Sequence, residues 1–120
     1  MTEAEKEQLI NWQVGLAATG GSQSLLCELI EIFLIEYPKQ LAGIAEALGK
    51  GSGKEVRLFA HTLKGSLRFF GESRASTLTS ELETMGLGDR LEGADGLLAE
   101  LRLEVARLPP ELQNYLDTHS

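Results

Sequence analysis

Residues 52–71, SGKEVRLFAHTLKGSLRFFG, predict one amphipathic helix with its own start and stop signals. Ser52 is followed three residues later by Glu55, the spacing of a capping box in which each side chain satisfies a backbone N–H of the first turn. Gly71 suits the left-handed residue that follows a helix. Between these ends, apolar residues recur every three or four positions and form one buried stripe: Val56, Ala60, Leu63, Leu67 and Phe70.

The same spacing continues in the flanking segments, which glycine clusters separate. The segment 22–48 carries the longest stripe, and Pro38 inside it is expected to bend the helix because it removes one backbone hydrogen bond. Shorter helices are predicted at about 72–85 and 91–108. The apolar positions of the three segments are Leu26, Ile30, Phe33, Tyr37, Leu41, Ile44 and Leu48, then Ala75, Leu78, Leu82 and Met85, then Ala94, Leu98, Leu101, Val105 and Leu108.

No segment alternates as a strand does, and β-branched residues are scarce. The first segment, about 3–19, is expected to form two short helices that meet at Asn11, a suitable N-cap. Helices joined by short glycine-bearing loops become antiparallel neighbours. The predicted fold class is therefore all-α: an antiparallel up-down four-helix bundle with short N-terminal capping helices.

A length of 120 residues suits a single helical domain, 1–120. Its core is expected at about 11–108, followed by a polar tail at 109–120, because Pro109-Pro110 should stop the last helix. His119 in that tail is assigned no role. The protein is expected to be a monomer, and its short acidic start favours a freestanding chain.

Composition excludes several classes of function. A net charge of −7 argues against general nucleic-acid binding, which needs a basic surface. The apolar runs are too short to cross a membrane, and the acidic start MTEAEKEQ is unlike a secretory signal. Cys27 is the single cysteine, so no internal disulfide forms, and its apolar neighbours favour a small buried side chain. A cytoplasmic location is the expectation.

The outer face of the 52–71 helix is basic. Residues 50–74 hold six Lys or Arg against two acidic residues, a net charge of +4, whereas the rest of the chain carries −11. The residues that share a face with His61, at spacings of −4, +3, +4 and +7, are Arg57, Lys64, Gly65 and Arg68. Such a face attracts an anion or an acidic partner, although from charge alone it is equally well explained as a solvated surface.

His61 makes a functional role the better explanation. The apolar stripe turns it outward, and an exposed imidazole is largely neutral at pH 7 and keeps a nucleophilic lone pair. Nearby cations stabilise the negative charges of an attached phosphoryl group. Gly65 costs about 1 kcal/mol relative to alanine inside a helix, so its presence one turn from His61 needs a reason, such as access for a partner.

The stretch AHTLKGSLRFFG resembles the signature of histidine-containing phosphotransfer (HPt) domains, H-x-L-K-G-S-x-x-x-x-G. The positions that match are His61, Leu63, Lys64, Gly65, Ser66 and Gly71. Upstream, FLIEYPKQLAGIAEAL is similar to the long second helix of that family, and LTSELETMG to the helix after the phosphorylation helix. The resemblance covers about 11–108.

This resemblance implies an intermediate of a two-component phosphorelay, in which a histidine accepts a phosphoryl group from a receiver aspartate and passes it to another. His61 is then the phosphoacceptor, and Lys64 and Arg68 support the phosphoryl group. Arg57, Gly65, Ser66 and Phe69 are the expected docking residues. The partners that the resemblance implies are response-regulator receiver domains, a hybrid histidine kinase, or both.

The chain is expected to be a phosphoryl carrier and not an enzyme, because no ATP-binding signature is present. It needs no cofactor of its own, since Mg²⁺ is expected on the receiver. The two histidines lie far apart without a cluster of ligands, so no metal site is predicted.

Some positions depart from the family pattern. Leu67, Arg68 and Phe69 are larger than is usual there, and Phe69 either lies exposed on the docking surface or packs against the 72–85 helix. Glu83 occupies a position that is often a hydrogen-bonding glutamine. A glutamate there can bond the second ring nitrogen of His61, but it would repel a phosphoryl group.

Two alternatives differ from a relay. The chain could be a helical interaction module that binds partners without phosphorylation, or the phosphoacceptor domain of a chemotaxis-type kinase whose ATP-binding domain is encoded separately. The retention of His61 together with Lys64 and Gly65 favours phosphotransfer.

Overall fold

The computed structural model describes residues 9–119, which form six α-helices and one 3-10 turn. The helices are α1 (Trp12–Ala18), α2 (Gln23–Lys50), α3 (Gly53–Leu67), α4 (Arg74–Leu87), α5 (Ala94–Val105) and α6 (Leu108–His119), and the 3-10 turn is Arg68–Phe70. Strands are absent from this part of the chain. The short helix predicted ahead of Asn11 falls mostly outside the described residues.

Helices α2 to α5 form the predicted four-helix bundle. Each packs against the next, and α5 also packs against α2, which closes the ring. The predicted stripe of α3 is fully buried, with Val56, Ala60 and Leu63 at 0% exposure. On the other helices, Tyr37, Leu48 and Met85 are half-buried and the remaining stripe residues are buried. The all-α bundle is thus confirmed.

Helix α2 runs without interruption through Pro38, an exposed residue on its outer side. Within residues 9–119 no single helix is long and apolar enough to cross a membrane, although α1 and α2, bent by 106° at their junction, reach that length and composition together.

The ends of α3 differ from the prediction. Ser52 Oγ accepts a hydrogen bond from the Glu55 N–H at 3.2 Å, but the Glu55 carboxylate lies 3.4 Å from Lys50 Nζ, so only half of the capping box is present. At the other end, α3 stops at Leu67 and continues as the 3-10 turn. Gly71 follows with φ +87° and ψ 177°, which is an extended glycine conformation and not the left-handed helical cap.

The segment 109–120 was expected to be a polar tail, and this was wrong. Pro109 and Pro110 lie in the first turn of α6, where proline is tolerated because the first backbone N–H groups of a helix have no partner within it. Leu112 is fully buried, and α6 packs on α2 and α5. The prolines therefore start a helix here.

Helices α1 and α6 meet at one end of the bundle. The rings of Trp12 and Tyr115 stack with centroids 4.0 Å apart, and His119 stacks on the other face of Tyr115 at 4.0 Å. Gln23 at the start of α2 donates a hydrogen bond to the Tyr115 hydroxyl at 3.3 Å. His119 thus takes part in packing.

Helix α1 also holds the 3-10 turn that follows α3. Asn11, confirmed as its N-cap, donates its backbone N–H to the Phe70 carbonyl at 2.8 Å. A Cβ at Gly15 would lie 2.8 Å from the Phe69 carbonyl, so α1 approaches the turn backbone to backbone. The C-terminal end of α3 is therefore fixed from outside the bundle.

Candidate functional site

His61 lies in the middle of α3 on the side away from the core. Its side chain is 68% exposed, whereas its neighbours Ala60 and Leu63 are completely buried. The outward orientation follows directly from the apolar stripe of the helix.

Glu83 of α4 joins His61 and Lys64. One carboxylate oxygen, Oε2, lies 2.6 Å from His61 Nδ1, and the other, Oε1, lies 2.5 Å from Lys64 Nζ. The side chains of Glu83 and Lys64 are only 17% and 21% exposed. One carboxylate thus holds two residues of α3 that are three positions apart.

The charge of Glu83 is stabilised by these contacts. The hydrogen bond from Lys64 lowers the pKa of Glu83 below its ordinary value of 4.5, and the contact with His61 lowers it further, while partial burial opposes both. Glu83 is therefore an anion at neutral pH and can only accept hydrogen bonds.

This geometry determines the tautomer of a neutral His61. Because the carboxylate can only accept, the proton of a neutral ring must lie on Nδ1, and Nε2 across the ring keeps its lone pair. Nε2 does not take part in the Glu83 contact, and the His61 side chain is 68% exposed. The arrangement therefore presents a nucleophilic nitrogen to solvent or to a partner.

Gly65 has no packing role. A Cβ built at this residue would meet nothing within 4 Å. At Gly43, by contrast, a Cβ would lie 2.5 Å from the ring of Phe59, and at Gly86 it would lie 2.6 Å from a backbone oxygen of α3. Gly65 is thus a helical glycine that only solvent contacts, one turn from His61.

The cations predicted around His61 lie on two sides of it. Lys64 and Arg68 line a groove of about 270 Å³ between α3 and α4. The other lining residues are Val14, Gly71, Glu72, Ser76, Thr77 and Ser80. Arg57, exposed like Arg68, lines a separate hollow toward the start of α3. Lys64 therefore binds the same carboxylate that contacts His61, and the two arginines lie at opposite ends of the site.

The other two predicted docking residues are less exposed. Ser66 is half-buried, and its hydroxyl donates to the Thr62 carbonyl at 3.4 Å. Phe69 is half-buried in the 3-10 turn and packs against the core cluster.

Exposed apolar residues on α2 and α3 were missed from the sequence. Leu58, three residues before His61 on α3, is 50% exposed. On the neighbouring helix α2, Ile32 and Ile35 are 56% and 64% exposed. The available signal was their position off the apolar stripes: a large aliphatic side chain outside a stripe must be exposed or find a partner.

No group of three or more His, Cys, Asp or Glu side chains that could hold a metal ion occurs within residues 9–119. The residues around His61 instead form a small cluster of one imidazole, one carboxylate and one ammonium group.

Comparison with known proteins identifies relatives of this bundle. Residues 28–111 match the family model of the Hpt domain. The crystal structure of histidine-containing phosphotransfer protein B (HptB) from Pseudomonas aeruginosa PAO1 superposes with a TM-score of 0.83 at 19% sequence identity, covering 92% of this chain and 96% of that chain. At this identity the likeness concerns the fold. A search of curated protein sequences finds no match.

Proposed function

Because the chain belongs to the Hpt domain family, we propose that His61 accepts a phosphoryl group from the aspartyl phosphate of one receiver domain and passes it to an aspartate of another. Members of the family are phosphoryl carriers in phosphorelays. The observation that carries the assignment to His61 is the Glu83 contact, which holds the proton on Nδ1 and leaves Nε2 free to attack.

The transfer step needs no base on this chain. The Nε2 lone pair attacks the phosphorus, the Nε2–P bond forms, and the P–O bond to the receiver aspartate breaks, so that the aspartate leaves as a carboxylate. The Nδ1 proton stays in place. The imidazole ring gains positive charge, which the adjacent Glu83 carboxylate stabilises at 2.6 Å.

The ion pair with Lys64 weakens the repulsion between the Glu83 carboxylate and a phosphoryl group. Since Lys64 Nζ lies 2.5 Å from Glu83, the pair is close to neutral as seen by an incoming anion. Glu83 also bonds Nδ1, across the ring from the attacking nitrogen. We propose that Lys64 contacts the phosphoryl oxygens, with Arg68 contributing from the groove.

The surface around Nε2 suits a protein partner. Gly65 leaves space next to His61, and the exposed Leu58 supplies apolar contact area. Arg57 and Arg68 would form the charged rim of the interface. Within this proposal, Mg²⁺ and the acidic residues that bind it come from the receiver.

Phosphotransfer from a purified receiver tests the proposal. The protein is incubated with a ³²P-labelled receiver and Mg²⁺, and the label on it is assayed for acid lability and base stability, the signature of phosphohistidine. Wild type should become labelled, and His61→Gln should not. Label on His61→Gln would refute the site, and wild type that takes no label from any receiver of its own cell would refute the relay. Label obtained only from an ATP-bound kinase would assign the chain to a chemotaxis-type system instead.

A further inference from the structure

Two glycines bring α3 and α4 into backbone contact. A Cβ at Gly86 of α4 would lie 2.6 Å from the Gly53 carbonyl oxygen and 2.7 Å from the Arg57 nitrogen. A Cβ at Gly53 of α3 would lie 2.7 Å from the Gly86 carbonyl oxygen and would also meet the Asp89 carboxylate. Both glycines are buried, and neither has a positive φ. They are therefore required for close approach and not for a turn.

Toward the other end of α3, a groove lies beside α3 and α4. There Lys64 and Arg68 face Ser76 and Ser80 across the 270 Å³ groove. Glu83 lies between the two regions, three residues before Gly86, and His61 lies four residues after Arg57. The Glu83 carboxylate thus lies between α3 and α4 about one helical turn from the Gly53–Gly86 backbone contact.

The geometry points to Gly86 and Gly53 as positioning residues for His61. Their backbone contact sets the spacing at which one glutamate reaches both Nδ1 of His61 and Nζ of Lys64. The importance of that spacing for transfer depends on the function proposed above, but its effect on the imidazole tautomer does not.

Alanine at position 86 cannot be accommodated by a rotamer change, because the atoms that it meets belong to the backbone of α3. To bring the 2.6 Å contact to the ordinary range of 3.4–4 Å, the two backbones must move apart by about 0.8 Å or more. N–H···O hydrogen bonds extend to only about 3.2 Å. A single carboxylate then loses one or both of its contacts, and the neutral ring is released to the Nε2–H tautomer that free imidazole side chains favour.

Nitrogen-15 NMR of the unphosphorylated protein tests this inference. At a pH where the imidazole is neutral, the ring nitrogen shifts of wild type should show a protonated Nδ1 and an unprotonated Nε2. Gly86→Ala should move these shifts toward the opposite tautomer by more than half of the full difference. Gly43→Ala is the matched control, because the nearest atoms to its Cβ all belong to the Phe59 ring and both glycines of the α3–α4 contact are kept.

Equal shifts in Gly43→Ala and Gly86→Ala would overturn the inference, as would a wild-type tautomer in a folded Gly86→Ala. If Gly86→Ala does not fold, Glu83→Asp supplies the test, since it keeps both glycines and shortens the reach by one methylene. That variant should lose the Nδ1–H tautomer, and its retention would show that the helix spacing is not decisive. None of these outcomes depends on whether the protein accepts phosphate.

Discussion

Glu83 Oε2 lies 2.6 Å from His61 Nδ1, although the two residues are 22 positions apart and sit on different helices. The same carboxylate binds Lys64, so a histidine, a glutamate and a lysine act as one unit on the surface of the bundle. In a neutral ring, the contact leaves the lone pair on Nε2, the nitrogen that does not bond Glu83.

Glu83→Ala should slow phosphotransfer to His61 by about tenfold or more without preventing it. A hydrogen bond to a charged group contributes about 1.5–3 kcal/mol, and 1.4 kcal/mol corresponds to a factor of ten in rate. The measurement is the single-turnover rate of label transfer from a phosphorylated receiver. Glu81→Ala, an exposed residue on the same helix, is the control and should transfer at the wild-type rate. Equal rates for Glu83→Ala and wild type would remove Glu83 from the mechanism.

The stabilisation provided by Glu83 should depend on pH. Its folded-state pKa is lowered from 4.5 mainly by the Lys64 hydrogen bond, so its contribution is complete above the unfolded pKa and is lost as the pH falls through the folded pKa. The difference in unfolding free energy between wild type and Glu83→Gln should therefore shrink from pH 7 to pH 3. Urea titrations at several pH values measure it. A difference that grows on acidification would contradict this linkage.

Gly65→Ala should raise the free energy of unfolding by about 0.5–1 kcal/mol, because alanine is the better helix former and the added Cβ meets nothing. Gly49→Ala, another open glycine in α2, should stabilise the protein by a similar amount. Substitution by a bulky residue distinguishes a docking position from an ordinary surface position. Gly65→Gln should reduce phosphoryl transfer from the receiver, whereas Gly49→Gln should not. Unchanged transfer by Gly65→Gln would mean that the partner docks elsewhere.

Leu112→Ala should destabilise the protein by about 2–5 kcal/mol, the range for a buried leucine, because its side chain is completely buried where α6 packs on the bundle. Asn114→Ala, exposed on the same helix, should change the unfolding free energy by less than about 0.5 kcal/mol. Thermal or urea unfolding gives both values. A Leu112→Ala variant as stable as wild type would show that α6 is dispensable to the core.

Local sequence patterns predicted most of the fold. Every apolar stripe residue predicted in 52–71 is buried, and Asn11 caps α1, because helix periodicity and caps depend only on residues within a few positions of each other. The error at Pro109-Pro110 has the same origin. A proline pair marks a helix boundary but does not say whether a helix ends or begins there. Only the packing of Leu112 and Tyr115 against residues distant in sequence shows that a new helix begins.

The site was predictable in part for the same reason. Helical spacing predicted that Arg57, Lys64 and Gly65 share a helix with His61, and they lie on α3, whereas Arg68 lies in the 3-10 turn that follows. Glu83 could be named only as a possible hydrogen-bond partner of the ring. Its simultaneous contact with Lys64 depends on the distance between α3 and α4, which the backbone contact of Gly53 and Gly86 sets. The residue pattern of a single helix cannot predict the distance between two helices.

The stacking of Trp12 on Tyr115 has a consequence for how such a bundle is built into larger polypeptides. Because Trp12 stacks on Tyr115 with ring centroids 4.0 Å apart, and His119 stacks on Tyr115 in turn, the start of α1 lies beside the end of α6. A bundle of this kind can be spliced between two segments of a host protein without stretching either of them.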